Sequence, residues 1–400
     1  MTSRRLVAHR AALRAVRPVL RPRAPGGAEP VTFVLLDAYG ESGAVRAVLG
    51  LAGELASRHD VRVLSVLRRR DEPFYAFPPG VAVAVADDQR ARRIRRPRGL
   101  LVHPIDKRPR GTSLLTDARL VRRLRAVRTG VVVGTRPSLN LIVAQLARPG
   151  VATIAQEHMN FDRRGPFVRP DIVRHYPALD AVVVLSEHDR RNYVTALGGA
   201  TRVERIPNAV PRLGGPAADL SRPVVLAIGR LTRQKGFDRL ICAFARVART
   251  EPDWTLRICG RGPEHERLAG MVAERGLQDR VALPGAVADI GAEFARASIF
   301  VLSSRFEGFP MVILEAMSKG LPVVSFDCAT GPADMVEDGR TGFLVPEGDV
   351  GGLARALRAL ARDEPLRRRL GAAGAERVEA FSPARVGARW DALLAEVVRR

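Results

Sequence analysis

Lysine is almost missing from this 400-residue chain: Lys107, Lys235 and Lys319 stand against 62 arginines. So few lysines disfavour a phosphorylase that carries its cofactor on a lysine. The three cysteines, Cys242, Cys259 and Cys328, have neither metal-ligand spacing nor an even count. They exclude a disulfide framework and fit small buried hydrophobes in a reducing compartment. Aromatic residues make up 5% and form no stacking motif, which argues against a nucleic-acid-binding module. No Asp-x-Asp pair occurs, so a diphosphate clamped through a divalent cation has no evident ligands. No uncharged apolar run reaches the roughly 18 residues of a membrane helix, and no transmembrane span is expected. The first 30 residues hold seven arginines but no continuous apolar stretch, so no secretory signal is expected.

What is present is a 46% hydrophobic chain, long enough for two domains with their own cores. Its net charge of +23 is uneven. Residues 1–200 carry 35 basic against 17 acidic side chains, a net of +18, and residues 201–400 carry 30 against 25, a net of +5. Arg90, Arg92, Arg93, Arg95, Arg96 and Arg98 form one cluster; Arg119, Arg122, Arg123, Arg125 and Arg128 form another. Such a field suits an anionic lipid surface, an anionic polymer or nucleic acid. A general arginine bias over solvated helix faces accounts for the same counts.

Residues 1–29 read as a basic arm, broken by Pro18, Pro22, Pro25 and the Gly26-Gly27 pair and expected to be a disordered or peripherally bound tail. Apolar strands at 31–36, 61–66, 81–86, 131–134, 151–156 and 181–185 alternate with helical stretches such as 44–58, 138–147 and 187–197, the pattern of a parallel sheet covered on both faces. A first domain over 30–207, a Pro- and Gly-rich hinge at 208–221 and a second domain over 222–380 follow from this. The second domain repeats the pattern with strands at 224–228, 255–259, 281–283, 298–302 and 321–326. Beyond Asp349 the chain reads as helical.

Two strand–loop–helix units carry the chemistry. In Arg305-Phe-Glu-Gly-Phe-Pro-Met-Val-Ile-Leu-Glu-Ala-Met-Ser-Lys-Gly320, the carboxylates Glu307 and Glu315 stand eight positions apart. Glu307 lies at the carboxyl end of a strand, and Glu315 lies in a helix that Pro310 is expected to open as its first residue. Ligands of open α/β sheets bind at that edge, and a helix amino terminus favours an anionic one. In Pro223-Val-Val-Leu-Ala-Ile-Gly-Arg-Leu-Thr-Arg-Gln-Lys-Gly236, Gly229 ends a strand, Arg230 offers a planar fork for phosphate oxygens and Lys235 a point charge.

Taken with Gly260-Arg-Gly262-Pro-Glu264 and the stretch Gly331 to Pro346, these segments resemble the nucleotide-sugar half of the retaining glycosyltransferases of family four. The resemblance is concentrated in about 170 residues on the carboxyl side. It implies an α/β fold of GT-B architecture, two facing Rossmann-like domains with parallel sheets and a cleft between them. It also implies that a terminal helix, over 381–400, crosses back to the first domain. Its reaction moves a sugar from a nucleotide diphosphate sugar, UDP- or GDP-linked, to an acceptor hydroxyl with retention. Lipid-linked or polymer acceptors, synthesis of cell-surface polysaccharide, glycolipid or cell-wall polymer, and a cytoplasmic enzyme peripheral to the inner face of the membrane are expected.

Carried onto this sequence, the resemblance makes Arg230 and Lys235 the groups that stabilise the departing diphosphate. Glu307 contacts the sugar ring and Glu315 the ribose hydroxyls. His158 points toward the donor sugar, and Arg136 is a candidate for acceptor or phosphate contact. Gly229, Gly260, Gly262, Val287, Gly308, Phe309, Met311 and Val312 line the donor, Val287 lying where the base is held mostly by backbone. Gly40, Ser42 and Gly43 form the acceptor or phosphate loop, with Glu41-Ser-Gly43 where the family has a Gly-Gly pair. Glu187 and His188 are explained by helix capping from Ser186. No metal and no cofactor beyond the nucleotide sugar is expected, since the cationic side chains take the place of a metal. A sugar-nucleotide epimerase of the same architecture and a basic nucleic-acid or anionic-polymer binding protein are the alternatives.

Overall fold

The computed structural model describes residues 3–16, 30–90, 97–103 and 111–399. Two compact units emerge: residues up to Ala209 together with Pro383 onward, and Val210–Ser382. In the first, Val- and Leu-rich runs form seven strands: β1 (Val31–Asp37), β2 (Val61–Arg68), β3 (Val81–Asp88), β4 (Val131–Gly134), β5 (Ala152–Gln156), β6 (Ala181–Val184) and β7 (Arg202–Arg205). They pair in the order β3-β2-β1-β4-β5-β6-β7, every pair parallel. The second unit has β8 (Val224–Ile228), β9 (Thr255–Cys259), β10 (Val281–Gly285), β11 (Ile299–Leu302), β12 (Val323–Asp327) and β13 (Gly342–Pro346), ordered β10-β9-β8-β11-β12-β13 and again all parallel.

Parallel pairs require helical crossovers, which cover both sheet faces and make the central strands apolar on both sides. β4, β5, β6 and β11 are buried throughout. In each unit the strand order reverses once, between β1 and β4 and between β8 and β11. The loops leaving those strands diverge to opposite faces, and the crevice they leave at the strands' carboxyl ends is where such sheets bind ligands.

The last helix, Pro383–Arg399, buries Val386, Trp390, Leu393, Leu394 and Val397 in the core of the first unit, with the Trp390 ring 6.1 Å from Phe33. Its stripe recurs at three- and four-residue steps, as one apolar helix face must.

Three expectations need correction. Residues 1–29 are not all a tail: Ser3–Ala15 is a helix whose His9 and Leu13 are buried against the first unit. Pro18, the first proline, lies beyond the end of that helix; residues 17–29 are outside the described residues. β7 escapes a hydrophobicity reading because it is half-buried with the sequence Arg-Val-Glu-Arg, and β13, Gly-Phe-Leu-Val-Pro at the other sheet's edge, adds a strand not expected from the sequence. Finally, Pro310 is the residue before the helix Met311–Ser318, not its first residue.

Candidate active site

In the second unit the loops after β8 and β11 are stitched together across the strand-order reversal. Lys235, in the turn Arg233–Lys235, extends its ammonium to 2.7 Å from Glu307 Oε1. The Ser304 hydroxyl donates to the same oxygen at 2.5 Å, and Glu307 is 6% exposed. Around this pair the backbone is tied as well. Gln234 Nε2 donates to Phe306 O (3.0 Å), Ser303 Oγ to Lys235 O (2.9 Å) and the Arg305 amide to Gln234 O (2.8 Å). The Arg305 guanidinium bridges back to Asp238 at 2.9 and 2.7 Å. Thr330 Oγ1 donates to Glu307 O, and Gly331 (φ 96°) lets the chain cross Pro310, whose Cδ a Cβ would meet at 2.4 Å. Burial, aided by the Glu307 charge, pushes the Cys328 thiol up to about 12, so it is a protonated packing group at neutral pH. Arg230 is exposed one residue beyond Gly229. Glu315 is buried in the helix Met311–Ser318 that starts from this loop.

The glycines of this edge have packing reasons of their own. The Lys235 stem lies over Gly229, where a Cβ would stand 3.1 Å from its Cε. Gly260 and Gly262, after β9, press against the 229–231 backbone: a Cβ would be 1.8 Å from Gly229 O and 2.2 Å from Leu231 O respectively. Their lack of a side chain therefore serves a backbone-to-backbone approach that sets the shape of the Arg230 loop. The Met311 amide donates to Phe309 O at 2.9 Å within this loop, and the Met311 side chain is half-buried. Gly308 and Val312 are half-buried and Phe309 is buried at this edge, and Val287 follows β10. Of the three lysines, Lys319 is buried and donates to the carbonyls of Leu213, Gly214 and Gly215 at 3.2, 2.8 and 2.6 Å. Three convergent carbonyls suit an ammonium with three donors and not a planar guanidinium. Lys107 lies outside the described residues.

In the first unit, Gly40, Ser42 and Gly43 lie at the carboxyl end of β1. Ser42 caps the helix Gly43–Leu55 by accepting from the Val45 amide at 3.2 Å. A Cβ on Gly43 would meet nothing within 4 Å. Arg136 follows β4 at the start of the helix Pro137–Leu146. His158 follows β5, both ring nitrogens shielded from solvent and without a hydrogen-bond partner among the described residues. Burial, with the Arg164 charge, pushes its pKa down to about 4, so the ring is neutral at pH 7.

Sequence reasoning missed the buried network next to His158 in the chain. The neighbouring Glu157 is buried and accepts from Asn140 Nδ2 at 2.8 Å, from the Tyr176 hydroxyl and from the Arg164 guanidinium. Arg164 in turn donates to Met159 O at 3.1 Å. Burial opposes the charge on Arg164, and Glu157 restores it. Burial and the Glu157 charge raise the Tyr176 hydroxyl far above its ordinary value. The only signal in the sequence was a glutamate directly after a buried strand. Ser186 caps its helix by accepting from the Asp189 amide at 3.2 Å, and Glu187 and His188 pair with Arg190 and Asp162, both at 2.7 Å.

Comparison with known proteins places both halves. The family model described as Glycosyltransferase Family 4 matches residues 42–212, and that described as Glycosyl transferases group 1 matches residues 215–377. An exopolysaccharide phosphotransferase of Streptomyces coelicolor is 36% identical over 386 residues, covering 92% of this chain and 41% of that protein. The chain thus spans about two fifths of that relative's length. The amylovoran biosynthesis glycosyltransferase AmsD of Erwinia amylovora is 26% identical over 369 residues, covering 90% of this chain and 99% of that one. Among solved structures, HepE of Anabaena in complex with UDP superposes with a TM-score of 0.72 at 20% identity, over 92% of this chain and 100% of that one, a likeness of fold.

Proposed function

Because the chain belongs to the glycosyltransferases of family-four type, built on the GT-B fold, we propose that it moves a sugar from a nucleoside diphosphate sugar to an acceptor hydroxyl with retention of configuration. The observation that carries this reading is the Lys235–Glu307 pair held at 2.7 Å across the strand-order reversal of the second unit. It sets a cation and a carboxylate side by side at the sheet edge where a ligand binds. Lys235 and the exposed Arg230 meet the negative charge that grows on the diphosphate as the glycosidic bond breaks. Fixed charges in place beforehand stabilise that transition state without reorganising.

Glu307 accepts a hydrogen bond from a hydroxyl of the sugar, and Glu315 holds the ribose hydroxyls. Glu307 Oε1 already accepts from Lys235 and Ser304, which supports a positioning role over a nucleophilic one. The acceptor then attacks from the face the diphosphate leaves, the leaving phosphate taking its proton. His158, neutral and without a partner among the described residues, supplies one further hydrogen bond to a sugar hydroxyl. Gly229, Gly260, Gly262 and the 308–312 loop shape the donor site, and the 40–43 loop receives acceptor or phosphate. Arg230 and Lys235 take the place of a metal in this reading.

The donor is UDP- or GDP-linked, a UDP complex of a structural neighbour supporting the first. Relatives named for exopolysaccharide and amylovoran support a lipid-linked or polymeric acceptor in cell-surface polysaccharide synthesis. Among the described residues no helix is long and apolar enough to cross a membrane. The basic first half would instead hold the enzyme peripherally on an anionic cytoplasmic surface. No observation favours the epimerase or nucleic-acid readings. The test is a screen of nucleoside diphosphate sugars for thermal stabilisation and slow hydrolysis, run with and without a chelator. One sugar nucleotide is expected to do both in either condition. Stabilisation by none of them would overturn the donor assignment, and hydrolysis that a divalent ion alone restores would overturn the metal-free one.

A further inference from the structure

Three ligand-type side chains meet in the first unit, far along the chain from one another. His9 comes from the helix Ser3–Ala15, His103 from the segment 97–103, and Asp171 from the helix Arg169–His175. Each is about 2% exposed. One donor atom from each lies within 4.8 Å of the other two. His103 Nε2 and Asp171 Oδ2 are 3.3 Å apart. In tetrahedral zinc, bonds of about 2.0–2.1 Å place neighbouring ligand atoms about 3.3–3.4 Å apart. One edge of a tetrahedron is thus already formed, and a shift of at most about 1.5 Å brings the third ligand in.

The surroundings also match a metal site. His9 Nδ1 lies 2.8 Å from the Leu100 carbonyl, which fixes the proton there and leaves Nε2 as a lone-pair donor. Arg10 donates to Asp171 Oδ1 at 3.0 and 2.6 Å, orienting the carboxylate while Oδ2 faces His103. The two imidazoles sit edge to face, with centroids 4.9 Å apart. Beside His9 and Asp171, and not reaching His103, is a pocket with room for about a single water molecule, lined also by Arg10, Arg14 and Arg174.

We propose that His9, His103 and Asp171 bind a zinc-class divalent cation that pins the amino-terminal helix to the first unit. The borderline-soft ion with two imidazoles and one carboxylate is the pairing this donor set favours. The site is independent of glycosyl transfer: it contains none of the residues assigned to donor or acceptor, and its loss is read in metal binding and melting.

The full chain, tag-free and stripped with chelator, is titrated with zinc chloride against a competing indicator and with cobalt(II) as a spectroscopic probe. One ion per chain, a tetrahedral cobalt spectrum and a zinc-dependent rise in melting temperature are expected. His9→Ala and Asp171→Asn should each weaken zinc binding by more than the roughly 10–100-fold typical of an outer-shell partner. His188→Ala, altering a surface histidine, should leave it unchanged. A wild-type chain that takes up no stoichiometric zinc or cobalt overturns the proposal whatever the variants do. So does a folded His9→Ala protein that binds zinc as tightly as wild type.

Discussion

The strand-order reversals of the two units are built alike and furnished differently. In the second unit the loops after β8 and β11 are bonded to each other at Lys235–Glu307, Gln234–Phe306 and Ser303–Lys235. In the first unit Thr135 Oγ1, after β4, donates to Val34 O of β1 at 2.8 Å, and the 38–42 loop leans on β2, with the Ala38 amide donating to Ser65 Oγ at 2.9 Å. One edge is a locked charge pair whose glycines are packed against backbone. The other is a capped helix start with open space over Gly43. A donor with a fixed diphosphate calls for the first kind of edge; an acceptor of variable shape tolerates the second.

The sharpest way to break that contrast is Lys235→Ala. Losing one preorganised charge from the diphosphate is expected to cost about 3–4 kcal/mol of barrier, roughly a 10²–10³-fold loss of turnover. The variant should also melt lower, because Glu307 stays buried with Ser304 as its remaining side-chain donor, and breaking a buried pair is costly. Donor hydrolysis and calorimetry measure the two effects separately. A folded variant with near-normal turnover would take Lys235 out of the chemistry and leave the pair a structural staple.

Next in size is a pair of glycine substitutions. Gly260→Ala drives a Cβ to 1.8 Å from Gly229 O at φ 151°, and is expected to destabilise the chain by about 1–3 kcal/mol or more. Gly43→Ala meets nothing, sits in a helix, and is expected to be neutral or to stabilise by about 0.4–1 kcal/mol while slowing transfer. Denaturant unfolding and transfer assays on both variants check this. Unchanged transfer in Gly43→Ala would remove that loop from acceptor or phosphate contact.

The same contrast explains what could be read from sequence. Glu307, Lys235, Gly229 and Gly331 fall in short runs, because a loop that contacts its neighbour across one strand pair needs its residues close together in the chain. The parallel sheets were equally legible, since buried strands are unbroken apolar runs. The network around Glu157 was not: Asn140, Glu157, Arg164 and Tyr176 are spread over 37 positions and meet only once β5 and its flanking helices are packed. Edge strand β7 was invisible because it lacks an apolar run, and the Ser3–Ala15 helix because its charge masks a narrow buried face.

His158 offers a milder test of the first unit. Its folded pKa of about 4 lies below the ordinary 6.5. Between those values the unfolded chain takes up a proton that the folded chain refuses. The stability tied to the neutral ring is complete above pH 6.5 and falls as pH drops toward 4, by at most about 1.4 kcal/mol per pH unit. His158→Gln should flatten the pH dependence of unfolding in that window, while wild-type turnover shows no inflection from this residue between pH 6 and 8. An unchanged unfolding profile would mean that the ring is protonated in the folded chain.

The smallest effect, per residue, separates the two halves by charge. Residues 1–200 carry a net +18 and residues 201–400 a net +5, but the structure shows that not every arginine is available. Arg119 is 2.7 Å from the fully buried Asp87, Arg125 donates to Val16 O at 2.9 Å, and Arg90 pairs with Asp71 and Asp88, both at 2.8 Å. Arg92, Arg93, Arg95 and Arg96 lie outside the described residues. Arg122 and Arg123 stand exposed on the helix Leu114–Ala126. Each is expected to contribute about 1 kcal/mol to binding an anionic bilayer. Replacing both with glutamine should weaken cosedimentation with anionic vesicles and leave donor hydrolysis intact. Raising salt from 0.1 M to 1 M, which shortens the screening length from about 10 to 3 Å, should abolish the difference between variant and wild type. Equal binding to neutral and anionic vesicles would reduce the asymmetry between the halves to a bias in composition.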